Sequence, residues 1–594
     1  MRLPKLYAPE QYRLTTELFT GYDHNLKINP GSWFDERNLS AEKYPLFSQR
    51  ARRGIVKTID QPLGLLAKDA LMHIDGSTVY YNDLPVSGIR LSTDADMLPK
   101  QMISMGAYAV IFPDKVYINT VDLTDCGSLD ARYDAGTIKV RLTMCRIDGS
   151  EYDLNAAVIA PESPKDPTNG DLWIDNSTSP HQLRQYSEAA ATWVDILTVY
   201  VKISARGINA NFAVDDGVEI AGLTASDADA NAQLQSLNGN HLIQAVGEDY
   251  IVVVGILDKV HNQTGGLIVT RECPDMDYVC ESDNRIWGCK YGLVDGKTVN
   301  EIYACKLGDP RNWRCYAGIS TDSYAVSLGA DGKFTGAVTY GGTPIFFREN
   351  CLHRLYGSAP SSFQLTTTQC RGVQDGSWRS LCVVNEVLYY LSRTDICAYD
   401  GSLPVGVSDQ FGGERFSDAA AGSDGRRYYI NMQAQDGSRR MMVYDISRRI
   451  WHREDDVHAA MFARVRGDLL FVDAAAGNLV SASGKQGALE DNIEWMAESG
   501  IMGYEYPDSK YLGRYNIRMR ADEDAIISMF IEYDSSGDWV PMGTYYGKNL
   551  TTTVNIPVIP RRCDHLRIKF EGRGEVIIYS IARILEHGGD VCRL

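Results

Sequence analysis

Short alternations of hydrophobic and polar residues, separated by turn residues, run through most of the chain. Ala70 to Ile74 and Thr78 to Tyr81 flank an Asp75-Gly76 pair, which is typical of a β-hairpin. The next unit, from Gln101 to Asn119, has the same form and turns at Pro113-Asp114. Successive meanders of this size are typical of the blades of a β-propeller, so a mainly β fold built from blades is predicted.

Further units of the same form follow later in the chain. They occupy Asp277 to Trp313, Phe334 to Tyr356, Ser380 to Asp400, Ala419 to Trp451 and Met461 to Ala482. Together with the first two units they make roughly six or seven candidate blades, a number within the range of known propellers.

Three other regions depart from this pattern. Residues 1–60 hold prolines that exclude a long helix, and we interpret them as an extended N-terminal strap that lies along another surface. Residues 123–245 contain a proline-rich linker and short strands, which predict one or two small β domains inserted into a propeller loop. Residues 487–594 have longer alternating strands and predict a C-terminal β-sandwich. The blades then occupy 61–122 and 246–486.

The charge balance excludes one class of function. The chain has 77 acidic and 59 basic residues and a formal net charge of -18. Binding to DNA needs Lys and Arg that displace condensed counterions, so the acidic surplus opposes it. Two interpretations remain, a charge that serves solubility or a passage through which DNA slides without sticking.

Cysteine usage and the N-terminal sequence give information on the cellular compartment in which the protein is made. The 13 cysteines include no C-x-x-C pair, so neither a disulfide framework nor a zinc ribbon is indicated, and reduced thiols made in a cytoplasm fit better. Met1 to Glu10 has no apolar core, and no apolar run approaches the ~18 residues of a membrane span. We expect neither a secretory signal nor a membrane segment.

The segment from Trp451 to His458 is the sharpest candidate for a metal site. Its possible ligands are His452, Glu454, Asp455, Asp456 and His458. Zinc sites need a fixed ligand spacing on a defined element, and this segment is predicted to be a turn between blades. We therefore favour a solvated charged loop over a metal site.

A second segment mimics the start of a calcium-binding loop through Asp227, Asp229 and Asn231. Ala232 stands where such a loop needs Gly, and Asn238 stands where it needs Glu. We expect a helix cap or a turn there.

The remaining polar clusters also have structural interpretations. Arg50, Arg52 and Arg53 could touch DNA or a partner, but a solvated turn is favoured. The segment from Asp534 to Trp539 is predicted to be a plain hairpin turn. Four tryptophans recur at the ends of blades, where core packing is favoured over sugar stacking. They are Trp287, Trp313, Trp378 and Trp451.

Catalysis is disfavoured by the motifs of the chain. Asp94, Asp96 and Glu349 could serve as paired acids of glycoside cleavage, but no linear spacing selects them. The sequence has no phosphate-binding loop, no H-E-x-x-H helix and no G-x-S-x-G elbow. We predict no catalytic, cofactor-binding or metal-binding residue, and no enzyme.

Several stretches resemble blades of tail-associated proteins from phages of Gram-positive gut bacteria. They are Gly106 to Thr120, Asn284-Arg-Ile-Trp-Gly-Cys289, Leu307-Gly-Asp-Pro-Arg-Asn-Trp313, Gly341-Gly-Thr-Pro-Ile-Phe-Phe347 and Asp395 to Ser402. Gly170-Asp-Leu-Trp-Ile-Asp175 looks like a small module common in phage structural proteins. The order of strap, propeller with insert, and sandwich is similar to that of the nozzle and hub proteins of short-tailed phages.

This resemblance implies a non-enzymatic virion structural protein of the tail or neck, made in the cytoplasm of the bacterial host. It implies a homo-oligomeric ring, commonly of six copies, around the DNA exit channel, with other tail, neck or portal proteins as partners. We expect Asp and Glu to line the lumen so that phage DNA passes without specific binding, and Gly31 to Leu39 to reach a neighbouring copy. The alternatives are a tail-tip protein that binds cell-wall carbohydrate and, third, a glycan-degrading enzyme.

Overall fold

The computed structural model describes residues 11–329, 331–503, 510–558 and 561–587. Strands make up 51% of the residues and helices 5%, so the predicted mainly β fold class is confirmed. The α-helix of the described part is Ala228–Leu237, and no helix there has the length and hydrophobicity to span a bilayer. Short 3₁₀ helices lie at Ala41–Lys43, Ala95–Met97, Ile208–Ala210, Pro360–Ser362, Trp378–Ser380 and Asp409–Phe411.

The chain folds as two compact units. The first unit comprises Met1–Val86, Phe346–His353 and Thr367–Leu594, and the second comprises Ser87–Ile345 and Arg354–Thr366. Both units consist of sheets in which most neighbouring strands are antiparallel and consecutive in sequence.

Seven meandering sheets, here sheets 1 to 7 in chain order, hold many of the described strands. Sheet 1 has Pro62–Lys68, Ala70–Asp75, Thr78–Tyr81 and Leu84–Pro85, and sheet 2 has Gln101–Met105, Tyr108–Phe112, Val116–Asn119 and Cys126–Ser128. Sheet 3 has Tyr278–Ser282, Arg285–Val294, Lys297–Ala304 and Tyr324–Ser327. Sheet 4 has Gly336–Tyr340, Thr343–Phe347, Cys351–Tyr356 and Gln364–Gln369.

The last three of these sheets belong to the first unit. Sheet 5 has Cys382–Val384, Val387–Leu391, Ile396–Tyr399 and Val405–Gly406. Sheet 6 has Phe416–Ser423, Arg427–Ala434, Arg439–Asp445 and Ile450–Arg453. Sheet 7 has Ala459–Val465, Asp468–Asp473 and Asn478–Ser481, to which Gly54–Thr58 and Ala488–Leu489 are added.

Tight turns set the register of these hairpins. Asp283 and Asn284 connect the first two strands of sheet 3, and both have positive φ, 53° and 55°. Asn385 and Glu386 do the same in sheet 5, at 47° and 65°. Two-residue turns of this type match the right-handed twist of the flanking strands, which explains why Asn and Asp recur between the predicted strands.

Within each unit, the first strand of one sheet lies beside the first strand of another. In the first unit these neighbours are the first strands of sheets 1, 7, 6 and 5, in that order. In the second unit they are the first strands of sheets 2, 3 and 4. Sheet 6 is covered on both faces, so Tyr428 to Met432 are buried without interruption instead of alternating.

The insert forms an eight-stranded sheet and a separate four-stranded sheet, both in the second unit. The order of the larger sheet is Ala131–Asp134, Ile268–Arg271, Gly217–Ala221, Gly239–Gly247, Tyr250–Val254, Tyr200–Ser204, Lys139–Cys145 and His261–Thr264. The smaller sheet has Val158–Ala160, Leu172–Asp175, Gln182–Ser187 and Thr192–Asp195. The expected boundary at residue 245 therefore comes too early. The strand Tyr250–Val254 is a short apolar run, a pattern that a blade and an inserted sheet share.

A buried polar network joins the insert to sheet 3. Arg271 pairs with Asp216 at 2.6 Å, and Asn312 donates to the other oxygen of Asp216 at 3.1 Å. Asn312 also accepts the backbone N–H of Gly217 at 3.0 Å. The stretch from Leu307 to Trp313, which resembles a blade motif, thus anchors the inserted sheet.

Two further sheets at the ends of the chain share one hydrophobic core, and we call them the terminal sheet pair. The order of one sheet is Gln11–Thr16, Val576–His587, Lys510–Ala521 and Leu550–Pro557, with Phe47–Ser48 also paired to Val576–His587. The order of the other is Gly21–Tyr22, Ser32–Arg37, Glu494–Ser499, Leu566–Arg573, Ile526–Tyr533 and Val540–Tyr546. Trp495 and Phe570 of the second sheet and Ile517 and Ile578 of the first are buried in that core.

The N-terminal residues, expected to form an irregular strap, instead supply strands to these sheets. The strand Ser32–Arg37 pairs with Glu494–Ser499, and Trp33 is buried against Phe47 and Phe570. Residues of the stretch from Gly31 to Leu39, expected to reach a neighbouring copy, thus pair within their own chain, and a contact with another copy stays a prediction. The proline spacing correctly excluded a long helix, but it could not reveal partners more than 450 residues away.

The strand Gly54–Thr58 completes sheet 7 by pairing with Asn478–Ser481. Gly54 lies against a neighbouring loop, since a Cβ there would lie 1.9 Å from the carbonyl oxygen of Gln486. Any larger residue at this position must push the strand away from the sheet.

Substitution Gly54→Ala is expected to lower the midpoint of thermal unfolding by at least about 4 °C, because the added methyl group meets backbone that cannot move aside cheaply. Differential scanning fluorimetry measures this shift. The matched control is Gly543→Ala, where a Cβ would meet nothing within 4 Å. Equal midpoints for the two variants would show that the strand is not held as described.

Candidate functional site

The acidic residues of the candidate metal segment are paired with arginines of the N-terminal residues. Arg53 donates to Glu454 at 2.5 Å and to Asp455 at 2.8 Å, and Arg50 reaches Asp455 at 3.4 Å. Arg50 also pairs with Glu490. Arg50 and Arg53 are only 6% and 5% exposed. The expected solvated loop and solvated turn are therefore both wrong, because each segment buries the other. We call these five residues the arginine cluster.

Charge pairing sets the protonation of the cluster. Burial alone would raise the pKa of Asp455, but Arg53 and Arg50 outweigh it and hold the pKa of that carboxyl below its usual range. Asp455 is therefore ionised at neutral pH and counters the buried guanidinium groups. Arg53 also lies over the ring of Phe471 in sheet 7, at 5.2 Å from its centroid.

The two histidines of the same segment are used separately. His452 is buried, and its Nδ1 lies 2.8 Å from Oε1 of Glu36, a fully buried carboxylate that also accepts the backbone N–H of Arg453. His458 is half-buried, and burial lowers its pKa. Among the residues that the structure describes, no group of three or more His, Cys, Asp or Glu side chains is placed to hold a metal ion.

The other residues singled out in the sequence have structural roles. Asp227 caps the helix Ala228–Leu237 by accepting the N–H of Ala230 at 2.9 Å, as predicted. Asp534 begins the turn between the hairpin strands Ile526–Tyr533 and Val540–Tyr546, also as predicted. The favoured core packing is confirmed for three of the four tryptophans, and the fourth, Trp378, is half-buried in a 3₁₀ helix. The three are Trp287, Trp313 and Trp451.

The three candidate catalytic acids serve local turns. Asp94 accepts a hydrogen bond from the hydroxyl of Ser92 at 2.9 Å and precedes the 3₁₀ helix Ala95–Met97. Asp96 lies in that helix, and Glu349 accepts the N–H of Asp375 at 3.3 Å. Asp94 and Asp96 belong to the second unit and Glu349 to the first.

A cleft of about 800 Å³ lies in the first unit between the N-terminal residues and sheet 5, and we call it the sheet 5 cleft. One wall is formed by residues 24–26 and Phe34. The other is formed by residues 391–396, which connect two strands of sheet 5, and by residues 408–416, which lead to sheet 6. Arg371 stands at its edge. No linear motif marks it, because its residues come from four separate stretches of the chain.

Two carboxylates of the cleft are occupied by protein partners. Asp395 pairs with Arg371 and accepts hydrogen bonds from the hydroxyls of Ser392 at 2.7 Å and Thr394 at 2.8 Å. Glu414 pairs with Arg440 and accepts the hydroxyl of Tyr22 at 2.7 Å. These acids therefore contribute little free negative charge.

Two guanidinium groups of the cleft lack such a partner. Arg393 and Arg415 are exposed, and within the described residues neither lies in an ion pair. Arg415 donates to the backbone carbonyl of Glu414 at 2.8 Å. The cleft therefore combines free cationic groups with fixed hydrogen-bonding groups, an arrangement that can hold a polar ligand but contains no nucleophile and base in contact.

Comparison with known proteins leaves the family open. No family model matches the chain, and no curated protein does. Solved structures that match include an exo-β-1,3-galactanase from Phanerochaete chrysosporium with galactose, at 7% identity and a TM-score of 0.21, over 51% of this chain and 95% of that one. PorZ, a surface component of the type-IX secretion system of Porphyromonas gingivalis, matches at 9% identity and a TM-score of 0.25, over 86% of this chain and 80% of that one. Likeness this weak supports no conclusion about activity.

Substitution Arg53→Met is expected to cost about 3–5 kcal/mol of unfolding free energy, because it leaves Glu454 and Asp455 buried without their main cation. Urea unfolding followed by tryptophan fluorescence measures the change. The matched control Arg426→Met removes an exposed arginine that forms no ion pair with any described residue and is expected to be nearly neutral.

The difference between Arg53→Met and the parent protein is expected to shrink as the pH falls below about 4, the pKa of an Asp carboxyl in an unfolded chain. The depressed pKa of Asp455 contributes stability above the unfolded carboxyl pKa, which is lost as the pH falls through the folded value. In the variant Arg50 is the cation that remains, 3.4 Å from Asp455, so protonation of this carboxyl costs the variant less stability than it costs the parent protein. A difference that stays constant with pH would contradict the pairing.

Proposed function

We propose that this chain is a structural protein of a bacteriophage tail or neck, of the nozzle or hub type. In this proposal sheets 1 to 7 close into a β-propeller, the sheets between Ala131 and Arg271 are an insert in it, and the terminal sheet pair is a β-sandwich. The packing of first strand against first strand within each unit supports the propeller, since blades meet through their innermost strands. The resemblance of the blade stretches to phage tail-associated proteins supports a place for the chain in the phage particle.

The observation that carries the proposal is the way the N-terminal residues are built into the first unit. Between Gln11 and Thr58 the chain supplies strands to both terminal sheets and to sheet 7. This stretch is held at three sheets and by the arginine cluster. Such a body suits a part that must keep its shape while pressurised DNA passes.

An unprotected strand edge supports assembly with further copies. Among the described residues Leu550–Pro557 is the last strand of its sheet, carries no charged residue, has its one proline at its final position and pairs with Lys510–Ala521 without a register shift. Val540–Tyr546, an outer strand of the other sheet, instead contains Pro541 near its start and faces a register shift. Natural edges are normally blunted by charge, proline or bulges, so an unblunted edge suits pairing with another chain.

An exposed apolar residue lies at the start of this edge, since Leu550 is 65% exposed. We assign this edge to a second copy of the chain, since rings form when one patch of each copy meets a different patch of the next. That Asp and Glu line the lumen of such a ring stays a prediction, supported by the net charge of -18.

Substitution Thr553→Lys is expected to weaken self-association at least about tenfold, because it places a charge on the edge where the neighbouring strand must pair. Mass photometry over a concentration series measures the assembly. The matched control Thr544→Lys adds the same charge to the already blunted strand Val540–Tyr546 and is expected to leave assembly unchanged. A parent protein that stays monomeric at high concentration would contradict the ring.

The location of the chain tests the function itself. Electron cryo-microscopy of the phage whose genome encodes the chain is expected to show a closed ring of copies around the DNA path at the tail or neck. Isolated copies at the distal tip would instead favour the carbohydrate-binding alternative. Absence of the chain from the particle would overturn the proposal.

A further inference from the structure

We infer that the sheet 5 cleft binds an anionic saccharide, one that carries a carboxylate or a phosphate group. This site is independent of the proposed place in the particle. Its volume of about 800 Å³ lies within the range of small-molecule sites.

The charge of the cleft runs against the charge of the protein. Arg393 and Arg415 have no carboxylate partner among the described residues, whereas the carboxylates of Asp395 and Glu414 pair with Arg371 and Arg440. Asp409 is the one lining carboxylate without an ion pair there, so the cleft of a chain of net charge -18 carries a local surplus of one guanidinium group. Guanidinium groups bind carboxylate and phosphate through paired hydrogen bonds, so an anionic group is the expected partner.

The remaining polar groups of the cleft suit hydroxyls. Asp409 offers an exposed carboxylate, and the side-chain oxygens of Asn25 and Thr394 also line the cleft as acceptors, since their own donors bond to protein groups. Together with the guanidinium donors of Arg393 and Arg415, these acceptors can be satisfied by a ligand with several hydroxyl groups.

The aromatic rings argue against a nucleotide. His24 lies between Tyr22 and Phe34, with ring centroids 5.9 and 4.1 Å away, and Phe411 packs against Trp451 at 4.9 Å. These rings are used within the protein, so they offer little free face on which a base could stack.

The walls of the cleft are held in place before any ligand arrives. The backbone N–H of His24 donates to the carbonyl of Gln410 at 2.7 Å, and the ring Nδ1 of His24 lies 2.8 Å from the carbonyl oxygen of Phe34. Gly412 has φ of 58°, and a Cβ there would lie 2.8 Å from the carbonyl oxygen of His24. Rigid walls reduce the ordering cost of binding.

The test is a calorimetric titration of the full chain with three probes. They are an oligogalacturonate, glucose 1-phosphate and the neutral trisaccharide maltotriose. At least one of the two charged probes is expected to bind with a dissociation constant of about 1 mM or lower, and maltotriose more weakly. The charged probe that binds more tightly shows whether the site takes a carboxylate or a phosphate group. Binding is expected to weaken between about 50 and 200 mM salt.

Variants locate the binding. The double variant Arg393→Gln with Arg415→Gln is expected to lose at least about tenfold in affinity, while Arg393→Lys with Arg415→Lys keeps part of it. The control Arg426→Gln removes an exposed arginine outside the cleft and is expected to bind normally.

The inference is overturned if neither charged saccharide binds, if the glutamine variant binds as well as the parent, or if inorganic phosphate competes as strongly as the saccharide. The last result would mean an adventitious anion only. None of these results bears on the position of the chain in the particle, which microscopy reports separately.

Discussion

The buried pairing of Arg50 and Arg53 with Glu454, Asp455 and Glu490 is the interaction on which the first unit depends. It lies where the N-terminal residues leave the terminal sheet pair and enter sheet 7. Burying one of these charges alone would cost several kcal/mol, so neither side of the cluster is stable without the other. The cluster therefore couples sheet 6, sheet 7 and the N-terminal residues into one body.

How far the sequence predicts this molecule depends on the range of each contact. Hairpins such as those turning at Asp283-Asn284 and Asn385-Glu386 are decided by a few adjacent residues, and alternation with turn chemistry finds them. The strand Ser32–Arg37 pairs with residues more than 450 positions away, and no local signal reports such a partner. The same reason hides the arginine cluster, whose members look like a basic patch and an acidic loop when each is considered alone.

The sheet 5 cleft could not be predicted from the sequence, for a related reason. Arg393 and Arg415 lie in separate stretches, and the sequence contains many other arginines. Exposed arginines without an ion pair also occur outside the cleft, as at Arg426, so only the folded chain shows that these two line one concave surface. Binding residues are commonly carried on the connecting loops of a protein, and the rigid scaffold of strands holds those loops in position.

Native-state hydrogen exchange of the full chain tests most directly that the N-terminal residues are an integral part of this body. The amides of Gly54–Thr58 and Ser32–Arg37 are expected to exchange as slowly as those of Asp468–Asp473 in sheet 7, since all of them open only with the unit as a whole. Exchange of the N-terminal strands at the fast rates of a fraying end, while sheet 7 stays protected, would contradict this account.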